Sequence, residues 1–185
     1  MKRLFIAVPV NLSPTLINHT LNLQKEFYRD HIVWVKPDLQ HLTLRFLGKT
    51  PDNFIDQLLK SMEIVAQETE KFELEINKLG VFGSKYAPKV LWYGFQDFIK
   101  FKELFLKLEP LINNIGFEPN YGNFVPHLTI GRIKKIENKR MFTEIVTQNQ
   151  PIFSQTIPIH EIQLIRSKLS ADGPKYTILD KFNLQ

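Results

Sequence analysis

Apolar and polar positions divide the chain into short periodic segments. Leu4 to Val8 is an unbroken apolar run containing β-branched and aromatic residues, the pattern of a strand buried on both faces. Ser13 and Pro14 then offer an N-cap and a proline suited to the first helical position. Leu16, Thr20, Leu23 and Phe27 recur at helical spacing, which predicts a helix from Pro14 to near Arg29. Ile32 to Val35 reads as a strand ended by Lys36-Pro37-Asp38. His41 to Leu47 alternates with period two, and Gly48 and Pro51 are expected to stop it. A second helix is predicted from near Asp52, with Phe54, Ile55, Leu58, Leu59, Met62, Val65 and Ala66 as its apolar stripe.

The second half repeats the alternation of strands and helices. Phe72, Leu74 and Ile76 alternate with the outward-facing Glu73 and Glu75. Gly80 to Gly83 and the polar run Ser84 to Lys89 predict a turn or loop, and Val90 to Phe95 the next strand. A third helix is predicted over Ile99 to Ile115, buried through Leu104, Phe105, Leu108, Leu111, Ile112 and Ile115. Pro110 is expected to kink or split it, and Gly116 to cap it. Phe124-Val125-Pro126 leads into a strand that ends near Ile133. Asn138 to Thr147 reads as a short helix. Gln155 to Ile157 and Ile159 to Arg166 read as strands separated by Pro158, and Tyr176 to Phe182 as a last strand after an Asp172-Gly173-Pro174 turn.

Two of these strands carry the same polar pattern. In His41-Leu42-Thr43-Leu44 and His127-Leu128-Thr129-Ile130, histidine and threonine share one face and the apolar residues the other. Each half of the chain holds strands, a long helix and one such motif, with no linker or low-complexity segment between them. The expectation is an α+β fold: one domain over residues 1–185, made of two intertwined lobes. It is bilobal, with two pseudo-symmetric antiparallel sheets, helices packed on their outer faces and a central cleft.

Composition narrows the chemistry. With 185 residues, 43% hydrophobic and 23% charged, the chain reads as an ordinary globular domain. Its formal charge of +5 permits an anionic partner such as a nucleic acid. No cysteine is present, which excludes disulfides and thiolate metal sites and fits a reducing cytoplasm. The apolar run after Met1-Lys2-Arg3 is too short for a signal peptide, and no run approaches the roughly 20 apolar residues of a membrane span. There is no His-Glu-x-x-His, no aspartate-rich loop, no phosphate-binding glycine motif and no Gly-x-Ser-x-Gly. No cofactor, metal or membrane partner is expected, and the protein is expected to be a cytoplasmic monomer.

Two histidines facing one substrate can serve as acid and base at once, which suits displacement at a phosphodiester. A threonine two residues on can donate its hydroxyl to a nonbridging oxygen. Arg45 shares the face of His41 and Thr43 by strict alternation and is a candidate cation. Arg132 points away by the same rule and contributes only if the strand ends or bulges at Gly131. Against this stands the bland reading that one His-Leu-Thr is a chance match; two copies favour function. His19 reads as solvated or partly packed, His31 as a helix-end cation, and His160 as structural. Phe46, Phe82 and Trp92 read as core residues, whereas Tyr86, beside Lys85 and Lys89, is kept as a candidate base contact. Lys36, Lys49, Lys85, Lys89, Lys134 and Lys135 read as a solvated surface, with a phosphate-tracking rim as the alternative.

His41-Leu42-Thr43-Leu44-Arg45-Phe46-Leu47-Gly48 and Pro126-His127-Leu128-Thr129-Ile130-Gly131-Arg132 resemble the paired His-x-Thr motifs of the two-histidine phosphoesterases. Within them the chain is most similar to the RNA 2′,3′-cyclic phosphodiesterases, also called 2′-5′ RNA ligases. Arg3 to Val8, Trp34 to Pro37, Val90 to Trp92, and Leu164 to Ser167 with Gly173, Pro174 and Tyr176 extend the likeness; residues 134–157 match nothing. The resemblance implies metal-free hydrolysis of a terminal 2′,3′-cyclic phosphate on RNA, tRNA fragments included, to a 2′-phosphate. It implies His41 as proton donor, His127 as proton acceptor, and Thr43, Thr129 and Arg132 as phosphate-binding residues, with reversible 2′-5′ ligation at the same site. The alternatives are a non-catalytic RNA-binding protein and a phosphodiesterase for small nucleotides such as a 2′-5′ oligoadenylate or a cyclic phosphate on an ADP-ribose derivative.

Overall fold

β1 (Lys2–Pro9) lies inside one half of the sheet. Its Leu4, Ile6 and Val8 turn into the main core, while Phe5 and Ala7 turn the other way and join Ile165 and Tyr176 in a small second cluster. Burial on both sides is what its unbroken apolar sequence requires. The computed structural model describes residues 1–84, 86–120, 122–150, 155–170 and 173–185. In it, β1 pairs with β3 (His41–Thr50) and β8 (Glu161–Ser170), and β9 (Gly173–Asn183) forms the edge beyond β8.

The other half has the order β7 (Gln155–Ile159), β4 (Phe72–Ser84), β5 (Ala87–Phe95) and β6 (Leu128–Lys135), with β2 (His31–Trp34) also paired to β6. All these pairings are antiparallel. The two expected sheets are therefore halves of one curled antiparallel sheet. They meet between β3 and β6 at one bridge, Leu42 opposite Leu128.

Among the described residues, four α-helices cover the core side of the sheet. α1 (Pro14–Glu26) starts at the Ser13 cap, whose hydroxyl accepts from the Leu16 amide at 3.2 Å, with Pro14 in the first turn. Such a cap stabilises a helix by about 1 kcal/mol. α1 leaves β1 but crosses to the other half, where Thr20 and His19 meet Tyr93 of β5. Its end packs Phe27 on Phe142 of α4 (Lys139–Gln148), ring centroids 5.0 Å apart. α2 (Ile55–Gln67) lies beside β8 and β9 and packs against α3 (Ile99–Ile115). α3 ends at Gly116, whose left-handed φ of 110° is the capping conformation that glycine adopts without a Cβ clash.

Several boundaries differ from expectation for identifiable reasons. α3 continues through Pro110 as one helix. β7 runs through Pro158, tolerable because it is the sheet edge, where a strand can do without one ladder donor. β3 continues past Gly48 to Thr50 in register with β1. Gly80 to Gly83 is strand, paired with Trp92 to Pro88: Gly80 lies against the Trp92 indole, and Gly83, at a φ of 111°, against the Ala87 carbonyl, where an added Cβ would clash in each case. Lys85 and Asp172 lie outside the described residues.

Candidate functional site

The bridge between the halves aligns the two motifs head to tail. With Leu42 opposite Leu128 in antiparallel register, His41 falls beside Thr129 and Thr43 beside His127. Leu42 and Leu128 are fully buried on the core side, and the four polar residues, each half-buried, occupy the open side. One face of a two-residue alternation thus supplies the core and the other the site.

The two imidazoles are held identically. Nδ1 of His41 donates to the carbonyl of Leu39 and Nδ1 of His127 to the carbonyl of Val125, both at 2.9 Å. A carbonyl only accepts, so each neutral ring carries its proton on Nδ1 and leaves the Nε2 lone pair for a substrate. Aromatic walls fix the ring planes. Phe5 lies 4.8 Å from His41 and Tyr176 meets it edge-on at 5.3 Å. Phe82 meets His127 edge-on at 4.7 Å and itself stacks on Trp92 at 4.8 Å. The Trp92 indole lies across Gly80 and Gly94, where an added Cβ would come within 2.3 and 2.4 Å of its ring atoms.

Both histidines are pushed below the ordinary imidazole pKa of 6.5, first by desolvation, against which the backbone hydrogen bonds work. The Arg132 charge lowers both further, and His127 adds to the effect on His41. Burial raises the Tyr176 hydroxyl above its usual value, opposed by the charges of Arg132 and Arg3. Arg132 is thus close enough to act on both imidazoles and on Tyr176.

A β-bulge accounts for the position of Arg132. In β6, Thr129 pairs with Trp92 and Arg132 with Val90, so one extra residue sits between them. Trp92 and Val90 share a face of β5, and their partners Thr129 and Arg132 therefore share the cleft face. β3 has a matching bulge: Thr43 pairs with Ala7, Arg45 with Ile6 and Phe46 with Phe5. This overturns the expectation for Arg45, which turns to the core side and pairs with Glu109 at 2.9 Å while donating to the Glu118 carbonyl. Phe46 takes the cleft position instead and is 63% exposed, not a core residue.

His19 is partly packed rather than solvated: its ring nitrogens contact the Tyr93 hydroxyl at 2.6 Å and the Asn149 carbonyl at 3.1 Å. His31 opens β2 and is exposed; His160 is exposed between β7 and β8. Tyr86 is exposed near the tip of the β4–β5 hairpin. Of the residues that pack on the histidines, Phe5 carries no site signal in the sequence, and Phe82 reads there as a core residue. Their parity relative to the histidine strands was a usable signal only once the strand pairing was known. Among the described residues, no helix is long and apolar enough to cross a membrane.

Paired His-x-Thr strands at the centre of a curled antiparallel sheet define the class of the two-histidine phosphoesterases. The model of the LigT-like phosphoesterases matches residues 6–92. A relative from Aquifex aeolicus named RNA 2′,3′-cyclic phosphodiesterase is 32% identical over 153 residues, 82% of this chain and 81% of its own. One of the same name from Methanothermobacter thermautotrophicus is 29% identical over 184 residues, 98% of each chain. A crystal structure of a Thermus thermophilus protein superposes with a TM-score of 0.80 at 26% identity, covering 98% of this chain and 97% of that one. The Escherichia coli LigT complex with 3′-AMP gives the same TM-score at 23% identity, covering 100% and 98%, and bears on the fold alone. The chain belongs to the LigT-like phosphoesterase family.

Proposed function

We propose that this protein hydrolyses the terminal 2′,3′-cyclic phosphate of RNA to a 2′-phosphomonoester by metal-free acid–base catalysis. The observation that carries the reading is the crossed register of the two motifs. It puts two imidazoles, each with Nε2 free of described partners, beside two threonine hydroxyls in one cleft. The names of the relatives supply the substrate class.

In this reading His127 accepts a proton through Nε2 as a water oxygen bonds to phosphorus. The bond from phosphorus to the 3′ oxygen breaks, and Nε2 of protonated His41 donates to that oxygen. Water adds one oxygen and two protons in all; the products are a 2′-phosphate and a 3′-hydroxyl. Thr43 and Thr129 donate to the nonbridging oxygens, and Arg132 balances the charge that builds in the transition state. The arriving phosphate anion raises the imidazole that must be charged, offsetting the desolvation that keeps both neutral in the free protein. With an RNA 5′-hydroxyl in place of water as the nucleophile, the same steps in the same direction form a phosphorus–5′-oxygen bond, break the bond to the 3′ oxygen and give a 2′-5′ linkage. The chain acts as one domain of two intertwined lobes, as a monomer in the cytoplasm, with RNA ends as its partner.

The test is turnover of an RNA ending in a 2′,3′-cyclic phosphate in the presence of EDTA. Activity is expected to persist in EDTA and to fall about 10²–10⁴-fold in His41→Ala and in His127→Ala. Undiminished turnover by either variant, or dependence on added metal, rejects the mechanism.

A further inference from the structure

Arg3 and Lys49 stand directly opposite one another in the β1–β3 ladder, on the face that also carries Phe5 and Ala7. Like charges in that position repel and weaken a sheet. Both side chains are exposed, and neither forms an ion pair with any described residue. Next to them Lys2, on the opposite face, has Asp52 at 3.4 Å. The cationic pair is therefore left without a counter-charge on the cleft side alone.

Its placement follows the site. Along β1, Ala7 lies opposite Thr43, Phe5 opposite Phe46, and Arg3 opposite Lys49. Four residues of strand separate the threonine level from the cationic level, about 13 Å. Between them lies an apolar shelf. Phe46 is 63% exposed, and Ile178, opposite Ile165 on the same face, is 53% exposed. The charge of Arg3 reaches the hydroxyl of Tyr176, whose ring touches His41, so cation, shelf and histidine form one continuous surface. A polyanion with flat, partly apolar side groups matches this order of charge, shelf and phosphate site.

We propose that Arg3 and Lys49 hold a phosphodiester upstream of the reacting end, so that the cleft receives the single-stranded 3′ end of an RNA chain rather than a lone nucleotide. The terminal nucleoside lies over the Phe46 shelf, and the linkage on its 5′ side reaches the cationic pair. The inference rests on the proposed phosphodiesterase reading and names the part of the substrate that the motifs do not contact.

The experiment compares wild type, Arg3→Ala/Lys49→Ala and the charge-preserving Arg3→Lys/Lys49→Arg. Each is assayed on a nucleoside 2′,3′-cyclic monophosphate and on a short oligoribonucleotide ending in the same group. Binding of a fluorescent oligoribonucleotide 3′-phosphate is followed by anisotropy across a salt series. The alanine pair is expected to lower kcat/KM on the oligonucleotide about tenfold through KM, leaving the mononucleotide unchanged. It is expected to weaken oligonucleotide binding to the same extent and reduce the log–log salt slope by about 0.7 for one lost phosphate contact. The charge-preserving pair should behave as wild type. Unchanged oligonucleotide binding, or equal losses on both substrates, overturns the inference. Absence of wild-type turnover on either substrate overturns the phosphodiesterase reading instead, and the anisotropy arm still decides the role of the cations.

Discussion

Leu42 and Leu128 face each other as the bridge between the two halves of the sheet, and neither side chain is exposed to solvent. An antiparallel pair has a local two-fold axis, so residues on either side of the bridge are exchanged between strands. This relates His41 to His127 and Thr43 to Thr129, and it explains why the carbonyl two residues before each histidine plays the same part. The near-equivalence of the imidazoles is a consequence of symmetry. Their division into acid and base has to come from what surrounds them.

That division is testable with a leaving group that needs no proton. On a p-nitrophenyl phosphodiester, loss of the proton donor should matter little, whereas loss of the base should matter fully. His41→Ala is expected to recover most of its lost rate relative to wild type on that substrate, and His127→Ala to stay impaired. The opposite pattern in kcat assigns the roles the other way.

Arg45 and Arg132 should separate stability from activity. Arg45 is largely buried against Glu109 on the core side, with both side chains close to 10% exposed (11% and 12%). Arg45→Ala is expected to cost about 1–3 kcal/mol in urea unfolding, by leaving the Glu109 carboxylate unpaired, with little change in KM. Arg132 is exposed on the cleft side, so Arg132→Ala should lower kcat/KM about 10–100-fold with unfolding unchanged. If Arg132→Ala loses stability while Arg45→Ala loses activity, the bulge argument fails.

Trp92 should transmit a remote change to His127. In Gly94→Ala the added methyl meets the indole at 2.4 Å, and Phe82 stacks on that ring while touching His127. Overpacking of this kind costs about 1–3 kcal/mol. Gly94→Ala is expected to lower both Tm and kcat. A variant with lowered Tm but native kcat would show that the imidazole is not held through the Phe82–Trp92 stack.

Protonation gives a further check. Both histidines are lowered below 6.5, first by desolvation, so the fold favours their neutral forms. Unfolded chains bind protons at these sites before folded ones do, and stability is therefore lost as pH falls below 6.5 toward the folded pKa values. NMR titration should find both rings titrating below 6.5 in the free protein and moving up when inorganic phosphate is added. His41→Gln/His127→Gln should lose less Tm between neutral and mildly acidic pH than wild type. Titration of either ring above 6.5 without an anion contradicts the desolvation argument.

Periodicity and motif spacing determined much on their own: an α+β chain, α3 from Ile99 to Ile115 with its Gly116 cap, and two His-x-Thr strands with one polar face each. Such features depend on residues within a few positions of one another, and the letters record them directly. Tertiary structure decided which arginine faces the cleft. Strict alternation puts Arg45 beside Thr43 and sends Arg132 away, and one extra residue in each strand reverses both assignments. A bulge is set by how β3 and β6 pair with β1 and β5, far away in sequence, because the partner ladder decides which residue is left over. Similarly, Gly80 and Gly94 read as loop and strand fillers until Trp92 is laid across them, and two expected sheets became one through the Leu42–Leu128 bridge. Side-chain chemistry was legible in the chain; the faces on which it is displayed were settled by contacts between distant strands.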